Sequence, residues 1–123
     1  MSEMVNKETR KDKVRISDEV IGIIAGIAAA DVENVTSLSG GFVDGIAGIL
    51  GRKNLGKGVK VQSNDREVII DISIVVEYGC KIHMVAQKIQ DRVREAVQNM
   101  TDLNVSEVDV NVVGVNVDEV KKD

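Results

Sequence analysis

The alternation of apolar and polar residues is sharpest between Glu67 and Tyr78. A period of two is typical of a β-strand whose two faces meet different environments. One face is apolar and predicted to join the core, while the other is mixed and predicted to be half exposed. The predicted core face carries Ile70, Ile72, Ile74, Val76 and Tyr78, and the mixed face carries Ile69, Asp71, Ser73, Val75 and Glu77.

Two segments show helical periodicity instead. The first begins at Ser17, a favourable N-cap, and has two acidic residues in its first turn. The second covers residues 81–100. The predicted buried stripes contain Val20, Ile21, Ile24, Ile27 and Ala28 in the first helix, and Ile82, Val85, Ala86, Ile89, Val93, Ala96, Val97 and Met100 in the second. Gly22 and Gly26 lie four residues apart in the first helix, which favours tight packing on a sheet.

Three further strands are predicted at residues 32–39, 59–63 and 105–117. In the last of these the apolar phase shifts by one residue beside Gly114, which predicts a β-bulge or a bend. The element order α-β-β-β-α-β predicts an α+β domain, with two amphipathic helices packed on one face of a small mixed or antiparallel sheet. We assign residues 16–117 to this single domain, residues 1–15 to a disordered tail and residues 118–123 to a charged C-terminal tail.

The stretch GRKNLGKG at residues 51–58 nearly matches the phosphate-binding loop G-x-x-x-x-G-K-[ST]. That loop requires a buried strand before it, a helix after it, and a Ser or Thr after the lysine to hold magnesium. Gly58 follows Lys57, a strand pattern follows Gly58, and residues 44–50 do not read as a buried strand. The context therefore argues against a nucleotide site.

Nucleic-acid binding is the alternative function. The segments at residues 45–48 and 48–51 match the GxxG loop that clamps a nucleic-acid backbone, but they carry no basic residue between the glycines. Aromatic residues make up only 2% of the chain, so bases would find few side chains to stack on. A nucleic-acid- or nucleotide-binding module would have to use the basic, glycine-rich loop at residues 51–60.

Composition weighs against catalysis and metal binding. The 123 residues include one cysteine, Cys80, and one histidine, His83, which we expect to be exposed near a helix start. No nucleophile, base and oxyanion donor assemble in the pattern, so we predict a non-enzyme without metal or cofactor. The N-terminal residues are polar and do not resemble a signal peptide, and the longest apolar run, residues 20–30, is too short to span a bilayer. The predicted location is the cytoplasm, with the membrane periphery as an alternative.

The segment from Gly40 to Gly58 holds seven of the eleven glycines and is long for a connection within one domain. Its apolar residues have the spacing of a short amphipathic turn and precede a basic cluster. One interpretation is that they cap the core edge beside solvated lysines. The other is a partner-binding surface, made by Phe42, Ile46, Leu50, Arg52, Lys53, Asn54, Lys57 and Lys60.

Several stretches resemble the alkaline shock protein family of Gram-positive bacteria, whose members are also called envelope stress response proteins. They are GRKN at residues 51–54 with GKGVKV at 56–61, VEYG at 76–79 and AVQNMT at 96–101. The resemblance covers about residues 14–117 and implies a non-enzymatic, cytoplasmic protein of cell-envelope homeostasis. It also implies homo-oligomers and a partner that is a membrane-anchor protein or a lipid-synthesis protein.

Overall fold

A computed structural model describes residues 11–39 and 58–117. These residues form two helices and four strands in the predicted order α-β-β-β-α-β. The elements are α1 (Asp18–Ala30), β1 (Val35–Leu38), β2 (Val59–Ser63), β3 (Glu67–Glu77), α2 (Ile82–Thr101) and β4 (Asn104–Asn116). The fold class is therefore α+β, as the periodicities predicted.

The sheet is mixed and is organised around β3. β4 runs parallel to β3 along one side over its whole length. The other side of β3 is shared by two antiparallel strands, β2 beside its first half and β1 beside its second half. The parallel pair is joined by α2, because parallel neighbours need a crossover connection.

β1 and β2 form one interrupted row, and their junction is unusually close. Leu38 pairs with Ile74 and Val59 pairs with Ile72, so the two strands end two positions apart on β3. A Cβ built on Gly58 would lie 2.3 Å from the carbonyl oxygen of Ser39. Ser39 and Gly58, the last described residue before segment 40–57 and the first one after it, therefore lie next to each other on the sheet.

Both helices pack on the same face of this sheet. The alternate residues of β3 from Ile70 to Val76, which were predicted to face the core, are fully buried there, and Val68 extends the same buried row. The residues between them, from Ile69 to Glu77, are only half-buried. The described residues thus make two layers, with both helices on one face of the sheet, and none of these residues forms a helix over the other face. That other face is called the open face below.

Helix α1 buries only part of the predicted stripe: Ile21 and Ile24 are buried as predicted, but the buried face is rotated away from the other predicted residues. Ser17 caps it as expected, its hydroxyl accepting a hydrogen bond from the amide of Val20. Val20 and Ile27 are 44% and 48% exposed, whereas Ala25 and Ala29 are completely buried. The stripe prediction was wrong at these positions because the helix is apolar on every side, so periodicity could not distinguish its faces.

Gly22 packs on β2, as the tight-packing prediction required, but space does not require a glycine. A Cβ at Gly22 would meet the side chains of Val61 and Val59 at 3.7 and 3.8 Å, which is ordinary van der Waals contact. We expect Gly22→Ala to stabilise the protein by about 0.5–1 kcal/mol, because alanine has the higher helix propensity. Urea denaturation followed by circular dichroism measures this, and a destabilised variant would contradict it.

In helix α2 the middle of the predicted stripe is buried, whereas the residues at its two ends are exposed. Val85, Ile89, Val93 and Val97 are buried, while Ile82 and Met100 are 42% and 69% exposed. Tyr78, predicted to lie on the core face of β3, is 63% exposed because β3 ends at Glu77 and Tyr78 enters the turn that leads to α2.

Strand β4 contains the predicted bulge beside Gly114 and another one nearer its start. Its register with β3 shifts between Ile74 and Val75, and also between Val68 and Ile69. The consequence is that Val105, Val108, Val110, Val112 and Val115 all place their side chains on the helix face, although their spacing in sequence is irregular. Val105 and Val108 are buried, and Val115 is 45% exposed.

Candidate functional site

Of the residues predicted to bind a partner, only Lys60 lies within the described part of the chain. The other seven, Phe42, Ile46, Leu50, Arg52, Lys53, Asn54 and Lys57, lie outside the described residues. Lys60 is exposed on β2 and pairs with Asp71 of β3, which places it on the open face. The strand that follows Gly58 agrees with the argument against a phosphate loop, which needs a helix there.

The open face is acidic. Five carboxylates occupy it against the single lysine among the described residues. They belong to Glu67, Asp71, Glu77, Glu107 and Asp109. Asp71 lies directly beside Asp109 in the parallel register. Like charges in adjacent strands repel, and this repulsion is partly offset by Lys60, which pairs with Asp71 on its other side.

Hydrogen bonds between neighbouring strands organise the carboxylates of the central strand. The Asn111 amide donates to Asp71. At the far end of β3, the Thr36 hydroxyl donates to Glu77 over 2.6 Å, and the Asn116 amide donates to the same carboxylate. Glu107 and Asp109 on β4 are exposed. The face is therefore a flat, ordered surface of negative charge, with the half-buried Ile69 and Val75 between the acids.

The outer edge of β4 has a protected half and an unprotected half. Over the first half, three side chains of α2 bind backbone groups of β4 that point away from β3. Gln90 donates to the carbonyl of Val108 and Arg94 to the carbonyl of Val105, both over 3.2 Å. Gln98 accepts from the amide of Val105 over 3.1 Å. These contacts occupy backbone groups that another strand would otherwise pair with.

The edge function of these polar side chains was not predicted from sequence. Gln90, Arg94 and Gln98 recur every four residues in α2, immediately beside the buried row that contains Ile89 and Val93. In sequence such a row is indistinguishable from a solvated helix face. Only the adjacency of α2 and β4 shows that it reaches the strand.

The described residues carry no evident catalytic or metal-binding arrangement. His83 is exposed, as expected, and Cys80 is a free thiol packed at the margin of the core. Within ranges 11–39 and 58–117, no three His, Cys, Asp or Glu side chains gather closely enough to hold a metal ion, and no polar side chain is buried. Neither described helix has the length and apolar character needed to cross a membrane.

Known proteins resemble this chain in fold or in sequence. The MamM CTD, in a variant form, has a similar fold with a TM-score of 0.49 and 14% identity over 78% of this chain and 93% of that one. A protein of Bacillus subtilis named YqhY, described as uncharacterized, is 40% identical over 94% of this chain and 85% of its own length. A second uncharacterized B. subtilis protein, YloU, is 34% identical over 92% of this chain and 96% of its own length.

A relative from Streptococcus pyogenes is named as a stress response regulator gls24 homolog. It is 32% identical over 97% of this chain and 71% of its own length. The model of the ASP23 family, described as having a cell envelope-related function, matches residues 6–117. The match confirms the resemblance to the alkaline shock proteins, and the chain belongs to this cell envelope-related family.

Proposed function

We propose that this chain is a non-enzymatic interaction protein of the envelope stress response, and that it works through protein–protein contacts on the open face. The observation that carries the proposal is the one-sided packing of the sheet. Helices cover one face of β3 completely, and the opposite face presents ordered carboxylates on a flat surface. Flat charged surfaces favour recognition of a partner over enclosure of a small substrate.

The chemistry of the face defines the partner. Five carboxylates with half-buried Ile69 and Val75 between them suit a basic protein segment that also carries apolar side chains. Lysine or arginine beside Asp71 and Asp109 would relieve the repulsion between these two acids. The same charge repels nucleic-acid phosphates, which argues against nucleic-acid binding on this face.

The proposal includes a second contact region, which is formed by the basic residues of the glycine-rich loop. Ser39 and Gly58, which flank this segment in sequence, lie close together where β1 and β2 meet. Arg52, Lys53 and Lys57 would then supply positive charge for an acidic partner. The remaining parts of the proposal are self-assembly and recruitment to the membrane periphery by another protein. Both follow from the resemblance to the alkaline shock proteins, and the cell envelope-related description of the family is consistent with the second.

Charge reversal on the open face tests the proposal. We expect Glu107→Lys combined with Asp109→Lys to lose most of the proteins that the immobilised wild-type chain captures from a Bacillus subtilis lysate. Both residues are exposed, so each substitution should change stability by only about 1 kcal/mol or less. Captured proteins are identified by mass spectrometry, and captured nucleic acid is measured in parallel.

The matched control makes the same change of charge on α2. Asp91→Lys with Glu95→Lys alters two exposed carboxylates of the helix layer and should leave capture intact. Equal capture by the wild type and by the Glu107/Asp109 variant would remove the open face from the proposal. Lys53→Glu with Lys57→Glu tests the loop separately, and a capture of nucleic acid that this loop variant abolishes would establish the alternative function.

A further inference from the structure

We propose that the unprotected half of the β4 edge pairs with the same edge of a second copy, antiparallel and about a two-fold axis. This inference rests on the proposed function, because it names the surface on which the proposed self-assembly occurs. It concerns the stretch Val110–Asn116, which is called the free edge below.

The backbone of the free edge points outward at regular positions. In β4 the residues whose side chains lie on the helix face direct their N–H and C=O groups away from β3, as the α2 contacts with Val105 and Val108 show. The same alternation continues to Val110, Val112 and Val115, and the Asn116 carbonyl accepts from Tyr78 on the β3 side. No residue of ranges 11–39 and 58–117 forms a hydrogen bond with these outward groups of the three valines.

The row of α2 side chains that protects the first half of the β4 edge changes from polar to apolar toward the start of the helix. Gln90, Arg94 and Gln98 are preceded at the same spacing by Ala86 and Ile82. Polar side chains therefore reach β4 where its edge is closed, and the same row, continued toward the start of α2, is apolar on the side of the open half. Ile82 is 42% exposed, and Val112 and Val115 are 36% and 45% exposed. An incoming strand would meet backbone partners and an apolar surface together.

The free edge is compatible with itself in one register. If the bulge at Val112 and Val113 faces its own copy, Val110 lies opposite the partner's Val115 on the helix face. On the open face Asp109 lies opposite the partner's Asn116, so no two carboxylates of this stretch oppose each other. A two-fold axis perpendicular to the sheet keeps both helix layers on one side. A second copy thus pairs the outward groups of Val110 and Val115 reciprocally and brings those of Val112 to the two-fold axis.

The opposite side of the sheet is a poorer candidate. β1 has four residues and β2 has five, and the row that they form is broken at Gly58 and by the register shift beyond Val35. β4 has thirteen residues and contains no lysine or arginine, the residues that most often block pairing at an edge. The free edge of β4 offers outward groups at Val110, Val112 and Val115 within one strand, interrupted only by the bulge beside Gly114.

Val112→Pro tests the inference with little risk to the fold. Its N–H points away from β3, and proline is tolerated at edge positions whose N–H faces solvent. We expect the wild type to dimerise at roughly tens of micromolar in sedimentation equilibrium. The variant should raise the dissociation constant about tenfold or more, because the two-fold axis doubles each lost hydrogen bond.

Val112→Lys provides a second variant, with Met100→Lys as its control. Met100 is 69% exposed at the far end of α2, so the same substitution there should leave dimerisation unchanged. A wild type that stays monomeric at all these concentrations would overturn the inference, including the case in which residues 40–57 or 118–123 of the same chain cover the edge. Dimers that survive both Val112 substitutions would refute the edge contact and leave the proposed self-assembly standing.

Cysteine cross-linking checks the register. On a Cys80→Ser background, Asp109→Cys chains mixed with Asn116→Cys chains should form disulfide-linked dimers on mild oxidation. Paired residues whose backbone groups do not bond to each other approach closely enough for a disulfide. Neither variant alone should cross-link efficiently, and a dominant link between two copies of Asp109→Cys would refute this register.

Discussion

Gly58→Ala is expected to destabilise the protein by about 2–4 kcal/mol, a loss in the upper range for adding one methyl group. The new Cβ would lie 2.3 Å from the Ser39 carbonyl oxygen, a backbone atom that cannot rotate away. Ser39 is held by a 2.9 Å hydrogen bond from its amide to the Ser73 carbonyl, and the neighbouring Leu38 is almost fully buried. Relief of the clash therefore requires β1 or β2 to move on β3.

Gly22→Ala is the matched control for this measurement. The chemical change is the same, and the predicted effect has the opposite sign because the space at Gly22 accepts a methyl group. Urea titrations of both variants, followed by circular dichroism, give the two free energies of unfolding. A loss below about 1 kcal/mol for Gly58→Ala would show that the junction between β1 and β2 opens readily.

The Gly58 result also bears on the motif that resembles a phosphate loop. A phosphate loop would place a serine or threonine at this position, immediately after Lys57. The contact with Ser39 explains the glycine without any ligand. A serine or threonine at position 58 would clash with the Ser39 carbonyl and disturb the sheet. The position is therefore unsuited to a magnesium-binding hydroxyl.

Ile72→Ala should lower the free energy of unfolding by about 2–5 kcal/mol. Ile72 is fully buried at the centre of β3, in register with Val59 on one side and Val110 on the other. Truncation removes buried methyl groups and leaves a cavity beneath the helix layer, and the loss increases with the volume that the neighbours cannot fill. Thermal and urea denaturation both measure this loss.

Val75→Ala gives the comparison on the other face of the same strand. Val75 is half-buried on the open face, so its truncation should cost about 1 kcal/mol or less. Equal losses at Ile72 and Val75 would contradict the one-sided packing and show that the open face is covered in the folded chain. The difference between the two variants thus tests the surface on which the proposed function depends.

Local patterns determined much of this protein. The strict alternation from Glu67 to Glu77 located the central strand and its buried face, because a pleated strand directs successive side chains to opposite sides. The Ser17 cap determined where α1 begins, and the phase shift beside Gly114 located a bulge. The loop and strand motifs were sufficient to indicate the family.

Tertiary packing decided what the local patterns left open. The apolar sequence of α1 allowed several buried faces, and contact with β2 selected the one that contains Gly22 and Ala25. Tyr78 continued the apolar alternation of β3, but the strand ended one residue earlier and left it exposed.

The surfaces proposed to function depend on packing in the same way. The acids of the open face belong to two strands that are far apart in sequence, and they become one surface only when β4 aligns in parallel with β3. Gln90, Arg94 and Gln98 protect half of the β4 edge because α2 lies along it. Sequence periodicity reports which residues share a face of one element, whereas the neighbour that each face and edge meets is set by contacts between residues far apart in the chain.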